Sequence, residues 1–312
     1  MTVSAIKLMD PQEIEGMPDS EVPLLVLPQL QQTLNERATR FEQLANGPLA
    51  EWLAFCAKLA RAQALSIEQL KLTPLDESVV KESFKHGMPP ASISTWKAGD
   101  DWQQAFDLFV AELEKQNLPK QVQDIVQAFK SADQALVQRQ AVDYLNARES
   151  EVKPEWAPFL GAILQMIWMR RVEGLKPYVA HYKGQSSLCP VCGSHPVASV
   201  VRVGDRDAHR YLACSLCLSE WYGPRARCTN CETPKEVSIL GETQESLVQG
   251  ECCDDCHGYL KIMYQSRDPM MDVIADDLAS IQVDLALANE DYLRTGRNLF
   301  LMAGGQSDKK DT

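Results

Sequence analysis

The chain has 312 residues, a length that suggests two domains of roughly 150 residues each. Hydrophobic residues make up 45% of the chain and charged residues 24%, a globular composition that excludes disorder as its main state. The net charge of −12 argues against a nucleic-acid-binding protein, because phosphate contacts require a basic surface.

The N-terminus and the apolar stretches predict a cytoplasmic protein. The first residues show no basic segment followed by an apolar one, as a signal peptide would, and no twin arginine. The most apolar stretch, from Ala157 to Met169, is shorter than the ~20 residues that span a bilayer. Thiols stay reduced in the cytoplasm, so the ten cysteines indicate metal binding rather than disulfides.

Residues 1–184 are predicted to form a helical domain. Apolar residues recur at three- and four-residue spacing from Pro28 to Leu44, and Gly47-Pro48 ends this helix. The same pattern predicts further helices at about 49–65, 100–116, 119–130, 132–148 and 155–183. The last of them is apolar on most faces and is predicted to be the buried axis of a bundle. The proline-containing segment 73–99 is predicted to be mostly connection, with one short helix.

Residues 185–265 follow a different pattern. β-Branched and aromatic residues predict short strands at 194–203, 208–213, 237–240 and 259–264. A polar turn at Gly204-Asp205-Arg206 joins the first two strands. The predicted fold class is therefore α+β: an N-terminal all-α helical bundle, then tandem rubredoxin-like or zinc-ribbon β units, then a C-terminal helix.

Four CxxC pairs divide this second part into two equal units. Cys189 and Cys228 are 39 residues apart, and the same interval separates every other pair of equivalent cysteines. Each unit is therefore one CxxC turn, a hairpin and a second CxxC turn. The predicted metal ligands are Cys189, Cys192, Cys214 and Cys217 for site one, and Cys228, Cys231, Cys253 and Cys256 for site two.

The spacing of the cysteines also indicates what the sites can do. Two intervening residues let the chain turn back so that both thiolates face one ion, and two such turns complete a tetrahedral shell of four sulfurs. Zinc and a rubredoxin-type mononuclear iron both fit this shell. It leaves no position for water or substrate, and the chain has no nucleotide-binding or hydrolase motif, so it is predicted not to be an enzyme.

Other residues near the sites are predicted to have ordinary roles. Cys252 is an alternative ligand to its neighbour Cys253, but it is out of register with the repeat. His195 and His257 follow ligands closely and are alternative ligands, yet solvated side chains are the favoured interpretation. Cys56 lies among apolar residues of a predicted helix and is predicted to be a small core residue.

Residues 266–312 are predicted to form a helix that packs back, followed by a frayed tail. Asp268 is the predicted N-cap, and Pro269 suits the first helical position. An apolar stripe then continues to the end of the helix and must pack against the bundle or the metal module. By spacing alone, Asp276 and Asp277 are predicted to lie on a solvated helix face.

The residues in and around the CxxC turns form a specific pattern. The segments are Cys189-Pro-Val-Cys192-Gly-Ser, Arg210-Tyr-Leu-Ala-Cys214-Ser-Leu-Cys217, Glu220-Trp221, Cys228-Thr-Asn-Cys231-Glu232, Cys253-Asp-Asp-Cys256, Tyr259-Leu-Lys261 and Ala275-Asp-Asp-Leu-Ala279. The helical part from Arg37 to Leu44 and the closing Asn298-Leu-Phe-Leu301 fit the same pattern. Over essentially the whole chain, the sequence resembles the formate dehydrogenase accessory protein family FdhE.

The resemblance implies a cytoplasmic factor that is needed to mature respiratory formate dehydrogenases. Such a factor contacts the catalytic subunit, a molybdenum enzyme with an iron–sulfur cluster, before export. The resemblance also implies that the two mononuclear sites are rubredoxin-like and that iron is favoured over zinc. It makes Asp276 and Asp277 contact or structural positions rather than solvated ones.

Two other functions remain as alternatives at this stage. A rubredoxin-type protein would pass single electrons through an iron held by four thiolates. A zinc ribbon would bind nucleic acid, but residues 185–265 carry ten acidic and seven basic side chains. A protein partner therefore fits this module better than a nucleic acid does.

Overall fold

The computed structural model describes residues 23–184, 186–203, 209–224, 227–234 and 237–301, together with the backbone of residues 2–4. The predicted turn at 204–206 and the predicted tail from 304 onward lie outside the described residues. None of the described helices combines the length and apolarity that a helix needs to cross a bilayer.

The N-terminal part is helical, as predicted. Its α-helices are α1 (Leu30–Leu44), α2 (Ala50–Ser66), α3 (Glu77–Lys85), α4 (Asp100–Leu113), α5 (Lys120–Lys130), α6 (Gln134–Leu145) and α7 (Ala157–Glu173). The short helix expected between 73 and 99 is α3, and the Asp76 carboxylate caps it by accepting the N–H groups of Ser78 and Val79.

Helix α7 is the axis of the bundle. Apart from Arg170, Arg171 and Glu173, every residue of α7 is buried, which confirms the prediction made from its uniform apolarity. The predicted extension to residue 183 is wrong, because α7 ends at Glu173 and a 3₁₀ helix follows at Lys176–His181. Pro177 lies in that segment and cannot donate the backbone hydrogen bond that a continuing α-helix requires.

The described strands form one mixed sheet, to which the second part of the chain contributes most strands and the N-terminal part the first two. Its strands are β1 (Thr2–Ser4), β2 (Leu25–Val26), β3 (Pro196–Val201), β4 (Arg210–Cys214), β5 (Glu220–Tyr222), β6 (Val237–Gly241), β7 (Val248–Cys253), β8 (Gly258–Tyr264) and β9 (Leu293–Arg294). In the sheet they follow the order β1-β6-β7-β8-β3-β4-β5-β2, and β9 pairs with β8.

The 39-residue repeat is visible in the register of this sheet. In the first unit Ala213 of β4 lies opposite Glu220 of β5, and in the second unit Cys252 of β7 lies opposite Tyr259 of β8. Each residue of the second pair is 39 positions after its counterpart in the first. The two units join through parallel pairing of β3 with β8, so both metal units belong to a single sheet.

The C-terminal helix begins later than predicted. It starts at Val273 as α8 (Val273–Ala279), with Asp272 as its N-cap in place of Asp268. Asp268 instead accepts the Met270 N–H in the preceding turn. Asp272 also bonds to Arg37 of α1, with 3.0 Å between Oδ1 and Nε, so the start of α8 is fixed against the helical bundle.

The predicted continuous helix is also broken in the middle. It is interrupted at Ser280 and followed by α9 (Ile281–Ala288), in which Leu285 is exposed. The Lys261 ammonium donates to the carbonyls of Asp277 and Ser280, at 2.8 and 3.2 Å. Lys261 lies in β8, so these two carbonyls face the sheet at the position where helix α8 ends.

Asp276 and Asp277 are both buried, so their prediction as solvated residues from spacing alone is wrong. Arg40 of α1 binds Asp276 through two hydrogen bonds, of 2.9 and 2.6 Å. Asp277 lies 2.7 Å from an Arg294 nitrogen and 3.2 Å from the Lys261 ammonium. Burial raises the pKa of Asp276, whereas the two cations outweigh burial and lower the pKa of Asp277.

We expect Asp277→Asn to lower the free energy of unfolding by about 3 kcal/mol, because removal of one partner leaves buried cations undercompensated. Lys261 and Arg294 would keep Asp284 as a carboxylate partner, at 2.6 and 3.3 Å. Urea unfolding followed by circular dichroism measures the change.

The control for this variant is Glu77→Gln, which removes an exposed ion pair with Lys81 on α3. Exposed pairs contribute little, so its urea midpoint should match that of the unmodified chain. Equal midpoints for Asp277→Asn and the unmodified chain would contradict a structural role for the buried cluster.

Candidate metal centre

The structure brings together the four sulfurs of each predicted set. In site one, 3.5 Å separates Sγ of Cys189 from that of Cys217, and 3.5 Å separates Cys192 from Cys214. The two corresponding distances in site two are 3.7 Å. A tetrahedral ion with metal–sulfur bonds of about 2.3 Å has sulfurs about 3.8 Å apart, so both sets fit such an ion.

Backbone N–H groups point at these sulfurs. The N–H groups of Leu216 and Cys217 lie 3.4 Å from Sγ of Cys214, and the Asn230 N–H lies 3.3 Å from Sγ of Cys228. Hydrogen bonds of this kind favour the ionised sulfur that a metal requires. They follow directly from the tight turn that two intervening residues produce.

The residue after each CxxC pair has a left-handed backbone conformation. The φ angles are +82° at Gly193, +58° at Leu218, +63° at Glu232 and +53° at His257. Only Gly193 takes this conformation without steric strain, since the other three carry a Cβ atom. All four turns therefore have the same backbone shape, although three of them lack the glycine that eases it.

The first turn of site one is bound to the helical bundle. Ala91 donates its N–H to the Val191 carbonyl at 2.9 Å, and Ile93 donates to the Cys192 carbonyl at 2.9 Å. The connection after α3 thus runs along the metal turn and hydrogen-bonds to it. The Trp168 indole of α7 fixes that connection by donating to the Ala91 carbonyl at 2.8 Å.

The second turn of site one also contacts the bundle. Gln165 of α7 donates to the Ser215 carbonyl at 2.6 Å. Leu218 packs on a small cluster of buried apolar residues from three helices and their ends, formed by Leu30, Leu34, Ala64, Ile67 and Met169. Site one therefore lies in the interface between the sheet and the helices.

Site two lies at the other end of the module and is partly open to solvent. Cys231 is exposed and Cys256 is half-buried, while Cys228 and Cys253 are buried. Burial acts to raise the pKa of the Cys256 thiol. Hydrogen bonds from the Asn230 amide and the Gly258 N–H, among others, outweigh this effect and lower the pKa to about 7.

The remaining cysteines and the two nearby histidines lie outside both clusters. Cys252 is fully buried against α9, and burial raises its pKa to about 12. Burial likewise raises the pKa of Cys56 in α2. His195 and His257 are exposed. Among the described residues, the two four-cysteine sets are the groups of His, Cys, Asp or Glu placed closely enough to hold a metal ion.

Models of known protein families match almost the whole chain. The family models described as "FdhE, N-terminal", "FdhE, central domain" and "FdhE, C-terminal domain" match residues 22–182, 188–225 and 226–301. The boundary between the last two falls between the two metal units.

Similar proteins and a solved structure carry the same family name. "Protein FdhE homolog" of Yersinia enterocolitica is 33% identical over 296 residues, which cover 94% of this chain and 96% of the relative. "Protein FdhE" of Escherichia coli K12 is 34% identical over 286 residues, covering 91% and 92%. The crystal structure of the FdhE protein from Pseudomonas aeruginosa matches with a TM-score of 0.81 at 32% identity, covering 91% of this chain and 100% of that one.

We expect the purified chain to hold two metal ions, and Cys189→Ser or Cys228→Ser to hold one. Each substitution opens one shell and leaves the other intact, because the two sets share no ligand. A structural four-sulfur site contributes roughly 10 kcal/mol of apparent binding energy, so the opened unit should also unfold locally. Inductively coupled plasma mass spectrometry counts the ions, and loss of both ions from either variant would contradict the pairing.

Proposed function

Since the chain belongs to the FdhE family, we propose that it is an accessory factor for the maturation of respiratory formate dehydrogenase. In this proposal it binds the immature catalytic subunit in the cytoplasm through the metal-stapled module. The observation that carries the proposal is the family match, which runs from residue 22 to residue 301 and includes both metal units.

The proposed ligands are the eight cysteines of the two clusters, which would hold one mononuclear ion each. Their sulfur spacing suits zinc and iron equally, and the family resemblance favours iron. When bound, each ion would cross-link two turns of one ribbon and hold the surface of that ribbon in a fixed shape. Four thiolates leave no position for a substrate, so we propose a binding factor and not an enzyme.

The position of the two sites supports a role in binding. Site one joins the sheet to the helices, whereas site two lies at the surface with Cys231 exposed. A metal-stapled sheet attached in this way to a helical domain is a rigid frame. A client subunit can dock on such a frame with little loss of conformational entropy.

The second candidate function is rubredoxin-type electron transfer, and the exposure of Cys231 and Cys256 favours it. An electron-transfer partner could approach the ion of site two closely, which the buried site one does not allow. This function requires iron. Anaerobically purified protein would then show ferric–thiolate absorption that bleaches on reduction, and a colourless protein with two zinc ions would exclude it.

We expect the affinity-tagged chain to capture the formate dehydrogenase catalytic subunit from anaerobic cells, and a deletion strain to lose formate dehydrogenase activity. Cys253→Ser should abolish both capture and complementation, because it opens site two. The measurements are immunoblots of the captured subunit and formate oxidation in cell extracts.

The neighbouring Cys252 offers a matched control. Its sulfur is buried outside the cluster, so Cys252→Ala should still capture the subunit and restore activity. Full formate dehydrogenase activity in the deletion strain would refute the proposed function.

A further inference from the structure

The two sites occupy equivalent positions in the repeat but have opposite surroundings. Each of the four cysteines of site one is at most 1% exposed. Site two contains the exposed Cys231 and the half-buried Cys256. Cys231 is the counterpart of Cys192, which is 0% exposed, so the repeat itself does not cause the difference.

Hydroxyl groups near the sulfurs also differ between the sites. In site one, Oγ of Ser194 lies 3.3 Å from the Cys192 sulfur, and Oγ of Ser219 lies 3.3 Å from the Cys217 sulfur. Toward an ionised sulfur each hydroxyl donates, which stabilises the thiolate. In site two the counterparts of Ser194 and Ser219 are Thr233 and Gly258. Gly258 has no hydroxyl, and the Cys256 sulfur instead accepts a hydrogen bond from the Asn230 amide at 3.4 Å.

The second CxxC turn shows the largest divergence. In site one its two middle residues, Ser215 and Leu216, are buried against the bundle. Their counterparts in site two are Asp254 and Asp255, and both are exposed.

The Asp255 carboxylate lies 3.8 Å from the Cys231 sulfur. Four thiolates around a divalent ion carry a net charge of −2, so the carboxylate repels the intact shell. It can also accept a hydrogen bond from the Cys231 thiol once that sulfur has left the ion and taken up a proton. Both effects favour opening of the shell at Cys231.

We propose that site one is a permanent staple between the sheet and the helical bundle, and that site two exchanges its ion with a competing thiolate or chelator through the Cys231–Asp255 edge. In the exchange, the bond to the Cys231 sulfur breaks first as a bond from the ion to the incoming ligand forms. Further donor atoms of the incoming ligand then replace the sulfurs of Cys228, Cys253 and Cys256 in turn. The released thiolates take protons from the solvent according to pH, and the oxidation state of the ion does not change. The inference rests on the metal centre of the proposed function.

The test follows zinc release from the full chain loaded with two zinc ions. Excess 4-(2-pyridylazo)resorcinol binds the released zinc, and its absorbance gives the rate. We expect two phases of one ion each, with the faster at least tenfold faster than the slower. Release of both ions at one rate would overturn the inference.

Matched substitutions in the two units assign the phases. Cys231→Ser should remove the fast phase and keep one slowly released ion. Cys192→Ser, at the equivalent position of site one, should remove the slow phase and keep the fast one. The opposite assignment would overturn the inference.

A second variant tests the edge without removing a ligand. Asp255→Asn should slow the fast phase about threefold and leave the slow phase unchanged. Glu68→Gln, at an exposed carboxylate in the helical domain, should change neither phase. An unchanged fast phase in Asp255→Asn would overturn the part assigned to this carboxylate.

These outcomes separate the inference from the proposed function. A chain that cannot be loaded with two ions would refute the metal centre and the inference together. Release at a single rate from a chain that still captures the catalytic subunit would refute the inference alone. Two-phase release from a chain that captures no catalytic subunit would refute the proposed function alone.

Discussion

Two adjacent buried carboxylates hold the parts of this chain in one arrangement. Asp276 binds Arg40 of the helical bundle, and Asp277 binds Lys261 of the sheet and Arg294 near the C-terminus. An unpaired charge in such a place is strongly destabilising, so neither the bundle nor the sheet can move away from α8 without exposing or isolating a charge. The geometry of the metal module relative to the helices therefore depends on this short helix.

That constraint explains why two similar four-cysteine units are buried to different extents. Once α8 fixes the sheet against the bundle, the unit that contains site one contacts the connection after α3 and helix α7. The units lie side by side in one sheet, joined by β3 and β8, so the unit of site two extends beyond the contacts that bury site one. One set of sulfurs is fully buried as a result, and the other reaches the surface at Cys231.

Local features of the sequence predicted the helices and the grouping of the cysteines, because spacing and period depend on nearby residues. The charged cluster at α8 could not be predicted in this way. Arg40 and Asp276 are 236 positions apart, and nothing in the spacing of two aspartates indicates that distant cations will cover them. The same reason explains the missed break at Ser280, since Lys261 of another strand binds the carbonyls there. The sharing of one sheet by both units likewise depends on long-range pairing of β3 with β8.

At equivalent positions of the two four-cysteine units, the type of residue depends on what the position contacts. Leu216 faces the buried core, where a carboxylate would be costly without a cation partner, whereas Asp255 faces water and pays no such penalty. A rigid frame therefore needs only one of its two units to be apolar at this turn. The other unit is free to carry charge beside its sulfurs, and in this chain it does so at the exposed edge of the site. The chain thus combines one four-cysteine set fixed between the sheet and the helices with one that reaches the surface, an arrangement suited to the binding role proposed above.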